Sequence, residues 1–146
     1  MPRIPSFAAA LCLGLLAAYG PLHAAMTELR AVAGGHFVAK ADINGNPVQV
    51  MVDTGATTVA LSYEDADAAG LRPASLDFNA PVATANGVVQ AARVVIRRVE
   101  IDGVRVEDVP AMVLPQGAMR GSLLGMSFLS RLRSFAVEDG VLYLRD

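Results

Sequence analysis

The sequence predicts a mainly β fold with one or two short helices. Asn-Gly and Asp-Gly pairs recur along the chain, apolar residues alternate with polar ones between them, and helix-favouring stretches are few and short. Such pairs tolerate the positive φ angles of a type I′ turn and are the strongest local signal for a β-hairpin. They occur at Asn44-Gly45, Asn86-Gly87, Asp102-Gly103 and Asp139-Gly140.

The predicted strands lie on both sides of these turns. Residues 37–43 and 48–52 alternate with a period of two, which places one set of side chains against a core. Residues 93–109 are rich in valine and isoleucine and predict two strands joined at the third turn. Residues 113–114 predict another short strand, and residues 135–144 a final hairpin.

Two short helices are predicted. Ser62 and Asp65, three residues apart, approximate a capping box, and the alanines and glycine that follow fit a helix over residues 63–69. Apolar residues at helical spacing predict a second helix over residues 126–131. Residues 72–81, which contain two prolines, are expected to form a loop.

The composition indicates one globular domain without a basic surface. The chain has 146 residues, of which 53% are hydrophobic, and 12 Lys and Arg against 14 Asp and Glu give a formal net charge of −2. Because phosphate backbones are bound by clustered positive charge, nucleic-acid binding is not expected.

The first residues have the order of a secretory signal peptide. Arg3 is followed by an apolar run over residues 7–18. This run is shorter than the ~20 residues that a membrane-spanning helix needs, which favours cleavage near Ala24 or Ala25. The positions two residues before these points are not small, so a membrane tether through residues 4–18 stays open.

This leader defines the domain boundaries and the expected compartment. We assign residues 1–25 to a signal peptide or N-terminal membrane anchor, 26–34 to a lead-in segment and 35–146 to the folded domain. The one cysteine, Cys12, lies in the leader, so disulfide bonds and thiol catalysis are excluded for the mature chain. We expect an exported, periplasmic protein that is either soluble or anchored to the inner membrane by an uncleaved leader.

The candidate catalytic residue is Asp53, which follows a strand of valines and opens the segment Asp53-Thr54-Gly55-Ala56. An aspartate at the end of a buried strand is costly to ionise unless it is paired or hydrogen-bonded. The small residues Gly55 and Ala56 leave its carboxylate approachable. The same residue types also form ordinary turns, so this segment alone leaves both interpretations open.

A second segment makes the pattern specific. Leu123-Leu124-Gly125 precedes the predicted second helix and the final hairpin. In this order, the Asp53 segment, the Asn86-Gly87 hairpin and the Leu123-Leu124-Gly125 segment resemble the retropepsin family of aspartic proteases, and more narrowly the bacterial periplasmic retropepsin-like proteases. The resemblance extends over residues 35–144.

The resemblance implies a closed β-barrel protomer that supplies one catalytic residue, Asp53, to a homodimer. Independently, the sequence contains one Asp-Thr-Gly, whereas aspartic-protease chemistry needs two carboxylates. The implied function is an aspartic endopeptidase that acts on protein or peptide substrates without a metal or cofactor. Thr54 would hydrogen-bond across the dimer interface, and Gly55 would give close backbone access. The methyl group of Ala56, which cannot stabilise an ionised dyad, predicts activity at mildly acidic to near-neutral pH.

Other positions receive roles through the same resemblance. Residues Thr84, Ala85, Asn86 and Gly87 match the flap that closes over substrate, although an ordinary hairpin fits them equally well. Leu123 and Leu124 would pack beneath the active-site loop, and Gly125 would allow the chain to cross there. The sequence departs from the retroviral pattern at Met126, where Arg is usual, and at Thr57, where an acid is common.

A second function class stays open, because a fold does not establish a function. A retropepsin-like domain can bind peptides or dimerise without cleaving them, and a monomeric β-barrel binding module with a structural Asp53 is a weaker alternative. The mature chain has one histidine, His36, which disfavours a serine hydrolase or a zinc site. The acidic residues Glu64, Asp65 and Asp67 fit the first turn of a helix better than a calcium loop.

Overall fold

The computed structural model describes residues 24–146, so nearly all of the predicted leader lies outside the described residues. The strands are β1 Met26–Arg30, β2 Phe37–Ile43, β3 Asn46–Val52, β4 Val59–Leu61, β5 Ala80–Thr84, β6 Gly87–Ile101, β7 Val104–Val113, β8 Ser122–Leu124, β9 Ser134–Glu138 and β10 Val141–Arg145. Helix α1 spans Tyr63–Ala68, helix α2 spans Met126–Leu129, and one 3₁₀ turn lies at Pro73–Ser75. The mainly β class with short helices is confirmed. Within residues 24–146, no helix is both long and apolar enough to cross a membrane.

A closed barrel forms the body of the fold. The strands are hydrogen-bonded in the order β2, β3, β8, β4, β7, β6, and a second pairing of β2 with β6 closes the ring at Asp42–Glu100 and Ile43–Val99. The hydrophobic core contains the largest fully buried side chains, which include Phe128, Ile43, Leu61, Ile96, Ile101, Leu124 and Leu129. The predicted closed barrel is therefore confirmed.

The four predicted hairpin turns all connect strands, but they are not of one type. Both residues of Asn44-Gly45, Asp102-Gly103 and Asp139-Gly140 have positive φ angles, as a type I′ turn requires. In the fourth hairpin, Ala85 and Asn86 form the turn between β5 and β6, and Gly87 is the first residue of β6. Of the predicted Asn86-Gly87 pair, only Gly87 has a positive φ angle, of 114°.

The segment predicted to be a lead-in belongs to the fold. Strand β1 pairs with β10, and β10 pairs with β9, so the described chain ends lie side by side in a three-stranded sheet. Thr27 and Leu29 point inward, and the Thr27 hydroxyl donates a 2.9 Å hydrogen bond to the carboxylate of Asp102 in the β6–β7 turn. Strand β1 is only five residues long and three of them are exposed, so the apolar signal of the lead-in segment is weak.

Element boundaries differ from the prediction at several points. Pro81 belongs to β5 instead of the preceding loop, and this edge strand tolerates a residue without an amide hydrogen. Residues 113–114 do not form a separate strand, because β7 continues to Val113 while paired with β6 and β4. Helix α2 ends at Leu129 and not at Arg131, so it is a single turn before the chain leads into β9.

Candidate active site

Asp53 lies directly after the last residue of β3, in a tight loop that orients its carboxylate. Its backbone amide donates to the carbonyl oxygen of Leu124 at 3.1 Å, and its Oδ1 accepts from the amide of Gly55 at 2.8 Å. The amide of Ala56 donates to the Asp53 carbonyl at 3.2 Å. The Asp53 side chain is half-buried, whereas Thr54 and Gly55 are exposed. The carboxylate is therefore held by its own loop and open to solvent on one side.

Strand β8 packs beside the start of this loop, where its last residue, Leu124, binds the amide of Asp53. It lies between β3 and β4, parallel to β3 with Val52 opposite Leu124, and antiparallel to β4 with Ala60 opposite Leu123. Leu124 is fully buried and Leu123 is half-buried. Because β8 joins β3 to β4, the chain between these two strands, residues 53–58, must pass over the end of β8.

Gly125 lies where this crossing is tightest. A Cβ atom on Gly125 would lie 2.7 Å from the carbonyl oxygen of Ala56 and would overlap the carbonyl oxygen of Thr58. The next amide, that of Met126, donates to the same Ala56 carbonyl at 2.8 Å. Only glycine leaves room for the active-site loop and the start of α2 to approach this closely.

Two residues that the sequence analysis did not single out connect α2 to the barrel. The Ser127 hydroxyl accepts from the amide of Val59 at 2.9 Å and donates to the carbonyl of Pro110 at 2.7 Å. The Arg131 guanidinium donates to the carbonyls of Glu107 and Asp108 at 2.6 and 3.0 Å. Ser127 could have been noticed as a polar residue in an apolar helix, whereas nothing in the sequence indicates the partner of Arg131.

The Arg131 contact lies at an unusual point of β7. Asp108 has a φ angle of 52° within a strand, a conformation that is strained for a residue other than glycine. Thr57 in the active-site loop is exposed, and Met126 at the start of α2 is half-buried against the core. Both side chains are uncharged, so they form no ion pair with each other. The hydrogen bonds of Ser127 and Arg131 hold α2 in place beside the active-site loop.

The hairpin that matches the flap is exposed at its tip. The Thr84 hydroxyl donates to the carbonyl of Gly87 at 2.7 Å and accepts from the amide of Asn86 at 3.3 Å, which stabilises the turn. Ala85, Asn86 and Gly87 are exposed, and the following Val88 has 68% of its surface exposed. Among residues 24–146, no hydrogen bond joins this hairpin to Asp53.

The described chain thus provides an oriented carboxylate, a supporting strand and an exposed hairpin. No group of three or more His, Cys, Asp or Glu side chains within residues 24–146 is placed to hold a metal ion. The site presents the carboxylate of Asp53 in a solvent-accessible loop.

Comparison with known families decides the relationship. Residues 39–131 match a family model described as "gag-polyprotein putative aspartyl protease", a region that begins within β2, ends two residues after α2 and contains Asp53 and Gly125. The chain is a member of the retropepsin-like aspartic protease family.

Two relatives of this retropepsin-like chain are uncharacterized bacterial proteins. One, from Sinorhizobium sp and described as lying in the cobV 5′ region, is 42% identical over 118 residues, which are 81% of this chain and 51% of the relative. The other, from Rickettsia prowazekii (strain Madrid E), is 36% identical over 110 residues, which are 75% of this chain and 47% of the relative. The chain spans about half the length of these curated relatives.

Solved structures show the same fold. A retropepsin-like aspartic protease from Rickettsia conorii has 32% sequence identity and a TM-score of 0.75, with 84% of this chain and 91% of that chain covered. EIAV protease in complex with an inhibitor has 20% identity and a TM-score of 0.56, covering 69% and 91% of the two chains. A retroviral protease-like domain from Leishmania major has 22% identity and a TM-score of 0.52, covering 70% and 80%. The last two show the fold alone.

Proposed function

We propose that this retropepsin-like protein is an aspartic endopeptidase whose active form is a homodimer. The observation that supports this most directly is the environment of Asp53. Its carboxylate is oriented by the amide of Gly55 and remains open to solvent, in a loop that Gly125 and Leu124 support from below. This accessible position leaves the carboxylate free to act on a bound peptide, as general acid–base catalysis requires.

The chemistry requires a second carboxylate, and the chain contains a single Asp-Thr-Gly segment. A two-fold axis beside the loop would bring Asp53 against Asp53 of a second copy. Two carboxylates about 3 Å apart share one proton, because both cannot be ionised comfortably at this separation. The pair then titrates as a unit.

This dyad would cleave a peptide bond with a water molecule. The ionised carboxylate takes a proton from water as the water oxygen attacks the carbonyl carbon, and the protonated carboxyl donates a hydrogen bond to the carbonyl oxygen. The resulting tetrahedral intermediate collapses when the carboxyl that took the proton from water passes it to the amide nitrogen and the carbon–nitrogen bond breaks, which returns the dyad to its singly protonated state. The products are a carboxylic acid and an amine, and no covalent enzyme intermediate is formed.

Strand β9 supports the proposal of a dimer. It is an edge strand of the three-stranded sheet, so one row of its backbone groups is unpaired within the described chain. Val137 on this strand has 58% of its surface exposed, and Phe135 is only half-buried. An unpaired edge with exposed apolar side chains suits pairing with a second copy of the chain.

Substrate would lie between the dyad and the exposed hairpin of residues 84–87. Closure of this hairpin over an extended peptide would exclude water from the reacting bond, as a flap does. We further propose that the protein is exported to the periplasm, since residues 1–25 have the order of a signal peptide or membrane anchor.

The test is cleavage of a mixed peptide library by the purified protein between pH 4 and 8, with Asp53→Asn beside it. Asp67→Asn is the matched control, because Asp67 is an exposed acid on α1. The proposal predicts cleavage by the wild type and by Asp67→Asn, and none by Asp53→Asn. No cleavage by a wild type that is dimeric by its mass in solution would favour the alternative, a non-catalytic domain that binds peptides or only dimerises.

A further inference from the structure

We propose that Asp65 and Ser122 form a positioning pair that fixes β8 beneath the active-site loop and so sets the placement of Asp53. The inference rests on the proposed protease function for its kinetic consequence. Its structural part, the placement of β8, stands on the contacts of these two residues. Asp65 lies on α1, a helix that does not contain any of the catalytic residues assigned above.

The pair belongs to a polar network that is buried at Ser122 and Ser62 and part-buried at Asp65. The Ser122 hydroxyl donates to Oδ2 of Asp65 at 2.6 Å and accepts from the amide of Ser62 at 3.1 Å. The Ser62 hydroxyl accepts from the amide of Asp65 at 3.1 Å, which is the N-cap of α1. Ser122 and Ser62 are only 4% and 3% exposed. A carboxylate that accepts a short hydrogen bond from a buried hydroxyl forms one of the stronger contacts available in a protein interior.

The location of Ser122 explains why this network concerns the active site. Ser122 is the first residue of β8, which has only three residues and therefore few backbone hydrogen bonds to define its register. At the other end of the same strand, the carbonyl of Leu124 accepts from the amide of Asp53. Gly125 follows at once, against the carbonyl of Ala56. A shift at Ser122 is therefore transmitted along two residues to the loop that bears the carboxylate.

The network is one of two sets of hydrogen bonds that hold the elements around the active-site loop. Met126 and Thr57 leave the start of α2 and the active-site loop without an ion pair between them. The hydroxyl of Ser127 holds Val59, the residue that directly follows the loop, and the Asp65–Ser122 pair holds the end of β8 that lies farther from the loop. We therefore expect Asp65 to affect catalysis without contact with the substrate.

The experiment compares Ser122→Ala, Asp65→Ala and the double variant with Asp65→Asn and Glu64→Ala. Asp65→Asn keeps an oxygen acceptor for Ser122, and Glu64→Ala removes the other acid of the same helical turn, which is exposed. Two kinds of measurement are made well below the unfolding temperature. The first gives kcat and KM for a cleaved peptide, and the second gives the hydrogen-exchange rates of individual amides. The informative amides are Asp53 and Met126, with the β1–β10 sheet as the reference.

We expect Ser122→Ala and Asp65→Ala to lower kcat by about tenfold while KM changes less than about twofold, because placement of the reacting group is altered and not substrate contact. The Asp53 and Met126 amides should exchange about tenfold faster, with the reference sheet unchanged, since only a local opening is made easier. The double variant should be no worse than the poorer single variant, because one interaction is lost in all three. Asp65→Asn should recover much of the loss, and Glu64→Ala should match the wild type.

Three results would each overturn the proposed role of the pair. The exchange rates of the Asp53 and Met126 amides could be unchanged, they could rise only as much as those of the reference sheet, or the losses in kcat could add in the double variant. A wild type that does not cleave peptides would instead contradict the proposed function. The exchange measurements would still decide whether the pair places the loop, so the two failures are distinguishable.

Discussion

The backbone amide of Asp53 donates a 3.1 Å hydrogen bond to the carbonyl oxygen of Leu124, although the two residues are far apart in the sequence. This bond continues the parallel pairing of β3 with β8 by one residue beyond the last strand pair, Val52 and Leu124. The position of the carboxylate thus depends on a strand from the other end of the chain. The predictions that follow test this dependence and the chemistry built on it.

Replacement of Gly125 by alanine should strongly destabilise the protein. The added Cβ would lie 2.7 Å from the Ala56 carbonyl oxygen and would overlap that of Thr58, both backbone atoms that cannot rotate away. We expect a loss of about 3 kcal/mol in the free energy of unfolding, measured with urea. Gly117→Ala is the control: it has open space but a φ of 78°, and should cost only about 1–2 kcal/mol. Equal losses in the two variants would contradict the crossing as described.

Replacement of Ser127 by alanine should destabilise the protein by about 1–3 kcal/mol, because the Val59 amide loses its acceptor in a partly buried position. Denaturant unfolding measures this loss. Ser130→Ala is a matched control, since Ser130 is exposed and its hydroxyl only donates to the Met126 carbonyl one turn earlier. A Ser127→Ala protein as stable as Ser130→Ala would show that this hydroxyl does not secure the loop.

Replacement of Thr84 by alanine should affect substrate binding more than folding. The hydroxyl stabilises the exposed turn through the Gly87 carbonyl and the Asn86 amide. We expect KM for a cleaved peptide to rise about two- to fivefold, because the hairpin closes less readily over substrate. Thr84→Ser keeps the hydroxyl and should retain the wild-type KM. If both variants match the wild type, the hairpin does not act as a flap.

The proteolytic rate should be greatest at mildly acidic to near-neutral pH, and Ala56→Ser should move its acidic limb to lower pH. A hydroxyl near the dyad can donate to the ionised carboxylate, which favours the ionised form and so allows the dyad to lose its proton at lower pH. The kcat/KM profile measures this shift, with Ala74→Ser, at an exposed alanine outside the site, as the control. A wild-type optimum below about pH 3 would contradict the interpretation of Ala56.

Much of the fold was predictable because its signals are local. The Asn44-Gly45, Asp102-Gly103 and Asp139-Gly140 turns adopt the positive φ angles that their residue types tolerate, and the strands beside them alternate as the pleat requires. The cap of α1 is equally local, since Ser62 accepts from the amide of Asp65. Each of these features depends on residues a few positions apart.

The features that sequence analysis missed depend on distant contacts. The insertion of β8 between β3 and β4 and the pairing of β1 with β10 join residues from different parts of the chain. Asp108 adopts its positive φ within a strand, where the Arg131 guanidinium binds its carbonyl. Asp65 is predicted in the first turn of a helix, and nothing near it in the sequence indicates its bond to Ser122. Such partners are set by the tertiary fold and not by local residue patterns.

The central claim is that two protomers share one active site through Asp53. The most direct measurement mixes wild-type protein with an equal amount of Asp53→Asn protein and follows peptide cleavage at a fixed wild-type concentration, under conditions where both are dimeric. If the dyad is shared, random pairing leaves about half of the wild-type activity, because each mixed dimer has a single carboxylate. An unchanged rate after subunit exchange would show that each protomer acts alone and would contradict the account.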